Sequence, residues 1–179
     1  AAVHVRRRTF FGAVAKQLPV SEPKDAAIPQ IGFVGQEYRP KGTLLLGINP
    51  GGGRDKYVRA AWDSHLPKIQ SLRDGEASPD ALKAMFDEYA ANMQTWNLWR
   101  IVARVLDALG NNQSEVAFLN WCPFRTRGDK MPHTHVMWHS YDAHLVSLIR
   151  ILAPSRIVAL GKKVGVWAEK VPLGEATLY

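Results

Sequence analysis

The sequence predicts an α/β fold in which a short, mostly parallel sheet is covered by helices on both faces. Three observations carry this. Short apolar runs rich in branched side chains recur at residues 43–48 (TLLLGI), 116–119 (VAFL) and 157–160 (IVAL). Segments with the three-to-four-residue apolar spacing of helices lie between them. The runs are continuous rather than alternating, as expected of strands buried on both faces, and strands separated by helices pair in parallel.

In chain order, Arg6, Arg7, Arg8 and Lys16 all precede the first acidic residue, Glu22. Such an acid-poor start can mimic an organelle transit peptide. The arginines form a block rather than a spaced amphipathic pattern, so a basic helix on the domain is the preferred reading. Residues 18–41 carry Pro19, Pro23, Pro29 and Pro40 and read as an irregular arm wrapped over the domain. Residues 1–41 are thus expected to be a basic helix and an arm on a single domain spanning residues 1–179. The first strand is entered past Gly42 and broken at Asn49-Pro50. Ser78-Pro79-Asp80 is a helix start, with Ser as N-cap, Pro in the first helical position and an acid behind it. Leu82, Met85, Phe86, Tyr89 and Met93 then follow helical spacing. A second helix carries Leu98, Ile101, Val102, Val105, Leu106 and Leu109 as one apolar stripe, with Gly110 as its stop. A third places Tyr141, Leu145, Leu148, Ile149 and Leu152 on one face and ends before Pro154. Gly161 opens a short last helix through Val164, Val166 and Trp167.

A chain of 179 residues with 46% hydrophobic and 22% charged residues can bury one substantial core. No apolar run approaches the roughly 20 residues that span a bilayer. The formal net charge of +7 favours polyanionic partners. The single cysteine, Cys122, excludes a disulfide within the chain, a four-thiolate cluster and a Cys-rich zinc site. It reads as a small buried side chain rather than a nucleophile.

In parallel sheets ligands gather beyond the carboxyl ends of the strands. The loop after the first strand, GINPGGGRDK, fails the P-loop pattern because no Lys follows the second glycine, and it fails G-x-G-x-x-G by spacing. Pro50 stiffens the turn, and Gly51 to Gly53 let a ligand approach the backbone. Asn49 either bonds its own backbone, as Asn does in turns, or offers its amide to a ligand. The second loop, NWCPFRTRG, again begins with Asn at a strand end. The Asn120 amide can accept from a base N–H and donate to the neighbouring carbonyl, which is what reading the Watson–Crick edge of uracil requires. Arg125, Arg127 and Lys130 follow, placed for phosphates or as a solvated basic loop. His133, His135, His139 and His144 cluster, and His135 and His139 could share a helix face. H-V-M-W-H lacks the Glu of a zincin, so surface or DNA-facing histidines are expected and no metal site is assigned.

Taken together, these segments resemble the uracil-DNA glycosylase superfamily. GINPG (residues 47–51) resembles the first active-site motif of the mismatch-specific enzymes and is one residue from the GMNPG of the single-strand-selective monofunctional enzymes. NWCP (residues 120–123) resembles the latter group's NHCP, and VALGKKVGVWAEK (residues 158–170) its strand–glycine–helix segment. The resemblance implies a three-layer α/β/α sandwich and hydrolysis of the N-glycosidic bond of deoxyuridine in DNA. Carried over by position, Asn49 holds the attacking water and Asn120 reads uracil. Gly47, Ile48, Pro50 and Gly51 line the base site. Gly51 stands where the most uracil-selective enzymes place a bulky Tyr, which implies a roomier pocket open to 5-substituted uracils. Trp62, then Tyr57, is the expected ring stacked on the flipped base, although Trp62 reads almost as well as a core aromatic. Arg125, Arg127, Lys130, Lys162 and Lys163 are the expected phosphate contacts. No cofactor is expected, and the partner is uracil-containing DNA bound by a monomer.

The family's second catalytic segment, often beginning His-Pro, follows the last helix. Here Lys170 is followed by VPLGEATLY, so that segment is expected either to lie beyond Tyr179 or to be lacking, and no catalytic His is assigned. A non-catalytic DNA- or base-binding protein of the same fold is the alternative; a nucleotide-binding regulator, lacking a phosphate motif, trails behind. The expected location is intracellular: nucleoid-associated if bacterial, nuclear if eukaryotic.

Overall fold

The computed structural model describes residues 30, 32–51, 78–124, 126 and 130–179. The expected basic helix at the N-terminus lies outside them. The chain builds a mixed five-stranded sheet from β1 (Phe33–Val34), β2 (Thr43–Gly47), β3 (Val116–Asn120), β4 (Arg156–Ala159) and β5 (Thr177–Leu178), in the order β1-β3-β2-β4-β5. β2 pairs in parallel with β3 and β4, and β4 in parallel with β5, while β1 runs antiparallel to β3. β1 lies within the expected arm and is drawn in tightly. At Gly32, with φ of 73°, a Cβ would fall 2.1 Å from the Phe118 carbonyl oxygen, so only glycine fits.

The three apolar runs form the centre of the sheet, and their side chains divide between two cores. Leu45, Phe118, Val116 and Phe33 pack with Tyr89 and Met93 of α1 (Pro79–Met93) and Val102 and Leu106 of α2 (Trp99–Leu109). Leu44, Leu46, Ala117, Leu119 and Ile157 face the other side, against α3 (Thr134–Ser140), α4 (Val146–Leu152) and α5 (Lys162–Ala168). Helices thus cover both faces, as a fully buried central strand requires.

The helix boundaries follow local chemistry. The Ser78 hydroxyl accepts the Ala81 N–H at 3.2 Å with Pro79 behind it, the expected α1 start. α2 ends where Gly110 turns left-handed at φ 62°. Its stripe is narrower than the sequence reading had it, since Ile101 is 55% exposed; Val166 of α5 is likewise exposed. The third helix starts about two turns before its expected apolar stripe, at Thr134 rather than Tyr141. Thr134 to Leu152 is continuous, but residues Tyr141–Leu145 form a π-turn that inserts a residue between α3 and α4. The buried face runs on through it, from Val136 and Met137 to Tyr141, Leu145 and Ile149.

The carboxyl ends of β2, β3, β4 and β5 share one rim. Pairing there continues past the strands: Trp121 and Cys122 donate their N–H groups to the Gly47 and Ile48 carbonyls at 2.8 and 2.9 Å. Leu160 N–H reaches the Leu46 carbonyl at 2.8 Å. The end of β2 is therefore tied to both neighbours, and the first residue of its loop, Ile48, to the segment after β3. Among the described residues, no helix is long and apolar enough to cross a membrane.

Candidate functional site

The rim brings the two expected asparagines to adjacent strand ends. Gly47 and Asn120 are direct partners in the β2–β3 register, and Asn49 stands two residues beyond Gly47. The Asn120 side chain lies across the Gly47 backbone, so a Cβ at Gly47 would fall 2.6 Å from Asn120 Oδ1. That overlap is the physical reason for glycine at the end of β2. Asn120 is 4% exposed, and among the described residues its carboxamide has no hydrogen-bond partner.

Asn49 is half-buried and points its amide at the second loop. Its Nδ2 donates to Thr126 Oγ1 at 3.0 Å, while the local contact to the Pro50 carbonyl is a marginal 3.4 Å. Of the two readings of Asn49, the self-bonded turn is thus the weaker part. Thr126 in turn donates to the Lys130 carbonyl, closing the loop on itself. Thr126 is 1% exposed and was missed by the sequence reading, where a hydroxyl between two arginines looks like solvated loop. Its signal lies in a contact 77 residues away, which no local pattern reveals.

The remaining expected residues are distributed as follows. Ile48 is half-buried, Pro50 is buried and Gly51 is exposed, with no described residue within 4 Å of where a Cβ would stand. Lys130 is exposed on the second loop, and Lys162 and Lys163 are exposed at the start of α5, beyond the end of β4. Tyr57, Trp62, Arg125 and Arg127 lie outside the described residues.

The floor of the second loop is rigid and apolar. Trp121 is fully buried; its Nε1 donates to the Met137 carbonyl at 2.8 Å, and its ring stacks on Tyr141 at 5.8 Å. Trp167 of α5 packs 6.0 Å from the same indole. Cys122 is fully buried, and burial pushes its thiol up to about 11, so it stays a protonated packing group rather than a nucleophile. His133 and His135 are exposed and stack at 5.9 Å. Among the described residues no three His, Cys, Asp or Glu side chains gather as metal ligands would.

Comparison with known proteins adds no family: no protein-family model matches the chain, and no curated protein matches it.

Proposed function

We propose that the protein is a monofunctional uracil-DNA glycosylase of the uracil-DNA glycosylase superfamily, with its three-layer sandwich, that hydrolyses the N-glycosidic bond of a flipped-out uracil. The observation that carries this reading is the placing of Asn49 and Asn120 on one rim, one amide oriented by Thr126 and the other without a partner among the described residues.

The residues divide the work as follows. Lys130, Lys162 and Lys163, with Arg125 and Arg127, hold the DNA phosphates around the rim. Extruding the uracil costs a few kcal/mol, least at mismatched or single-stranded sites. Stacking on Trp62 or Tyr57, worth about 1–3 kcal/mol, offsets that cost. Asn120 accepts from uracil N3–H and donates to O4. With the amide held in that orientation, cytosine, which offers an acceptor at N3 and a donor at C4, would leave both amide groups opposed to like partners. Asn49 turns its oxygen toward the sugar and accepts a hydrogen bond from the attacking water. An amide is no base near neutral pH, so the water is positioned rather than deprotonated, and no covalent intermediate forms. As the bond breaks, charge develops on the uracil oxygens, and backbone N–H groups of the glycine loop are suited to meet it. That no described residue would meet a Cβ at Gly51 supports acceptance of 5-substituted uracils.

The test is incubation of the protein with an end-labelled uracil-containing oligonucleotide, then alkali to cleave abasic sites. Strand breaks at the uracil are the expected result. Binding without breaks would replace the reading with a non-catalytic base-binding protein, and absence of both would remove DNA as the partner.

A further inference from the structure

Thr126, on the second loop, bonds the first at Asn49 and satisfies a requirement that Asn49 cannot meet alone. A carboxamide is nearly symmetric in shape, and only its hydrogen-bond partners decide which end is oxygen. For Asn49 to hold a water through an acceptor, its nitrogen must be engaged elsewhere. The polarity of the chain of bonds settles this. The Lys130 carbonyl can only accept, so the Thr126 hydroxyl must spend its single proton there. Its oxygen is then left as an acceptor for Asn49, and the group 3.0 Å away must be Nδ2. Oδ1 is thereby turned away from Thr126.

We propose that Thr126 is a positioning residue that sets the orientation of the Asn49 amide, so that its oxygen and not its nitrogen faces the water site. The inference rests on the glycosylase reading for its consequence in turnover, but its geometric half stands independently. Thr126 touches neither base nor DNA in this scheme and acts through Asn49. Burial sharpens the effect: Thr126 is 1% exposed, so water has little access to replace a lost hydroxyl. Valine, of the same shape, removes the acceptor and lets the Asn49 amide turn over; serine preserves the relay.

The experiment compares Thr126→Val and Thr126→Ser in the native and Asn49→Ala backgrounds. It reads the single-turnover excision rate on a uracil oligonucleotide, DNA affinity by anisotropy, and the Asn49 side-chain amide resonances. Thr126→Val should lower the rate about tenfold through misorientation alone, with DNA affinity unchanged. Thr126→Ser should restore the native rate and the native Asn49 resonances. In the Asn49→Ala background Thr126→Val should add nothing, since the two residues act as one unit. An unchanged rate in Thr126→Val, or the same further loss without Asn49, would overturn the proposal. If the native protein releases no uracil, the glycosylase reading falls by itself. The resonances then decide: Asn49 signals that move in Thr126→Val but not in Thr126→Ser uphold the orienting role, and coincident spectra refute it.

Discussion

Asn49 is half-buried and commits its nitrogen to Thr126 at 3.0 Å, whereas Asn120 is 4% exposed and its amide has no partner among the described residues. They stand on neighbouring parallel strands, tied by the N–H groups of Trp121 and Cys122. A carboxamide with one end fixed presents a single kind of group, suited to orienting one small molecule such as water. A carboxamide with both ends free can match a donor–acceptor pair, which is what the edge of a base offers. On the proposed reading, the same residue type would serve two chemistries because the surrounding bonds differ.

The largest effect that would break this contrast is on excision. Asn49→Ala should reduce the single-turnover rate roughly 100-fold, the scale of losing a positioned reactant, while DNA affinity measured by anisotropy stays native. Equal turnover would remove the water-holding role. Asn120→Ala should act on choice instead of rate alone, lowering the uracil-over-cytosine preference by about 1–3 kcal/mol, measured as a ratio of kcat/KM values. Gly47→Ala sharpens the comparison further. Its new methyl would overlap Asn120 Oδ1, so selectivity should fall as in Asn120→Ala even though Asn120 is present, with a stability loss of about 1–3 kcal/mol by urea unfolding.

A smaller effect concerns the floor beneath both amides. Burial holds the Cys122 thiol up to about 11, from an ordinary value of 9.0. The folded protein therefore keeps this proton where the unfolded chain loses it. Its contribution to stability is complete below about pH 9 and declines as pH rises toward 11. Urea unfolding at pH 8 and pH 10.5 should show a smaller decline in Cys122→Ala than in the native protein. Tyr38 and Tyr141, also raised mainly by burial, keep their share in both.

Much of the central sheet was legible because its strands are unbroken branched runs that stop at Asn or Gly, and because Ser78-Pro79 and Gly110 act through local backbone chemistry. The edge strands were not: β1 and β5 are two residues each, too short to show a period. The start of α3 was not read either, because Thr134–Ser140 sets polar residues such as His135 and His139 among its apolar ones. At the site, the places of both asparagines were legible because each follows an apolar run that reads as a strand, while the roles given to them came from the resemblance of GINPG and NWCP. Thr126 was not, because its importance arises only when a partner 77 residues away folds against it.

The most direct test of two amides converging on one base is to titrate uracil into the protein while following the side-chain amide resonances of all asparagines. The signals of Asn49 and Asn120 should move together and saturate at one concentration, while those of Asn92, Asn97 and Asn111 stay still. Movement of neither, or of the two with unrelated midpoints, would contradict a shared site.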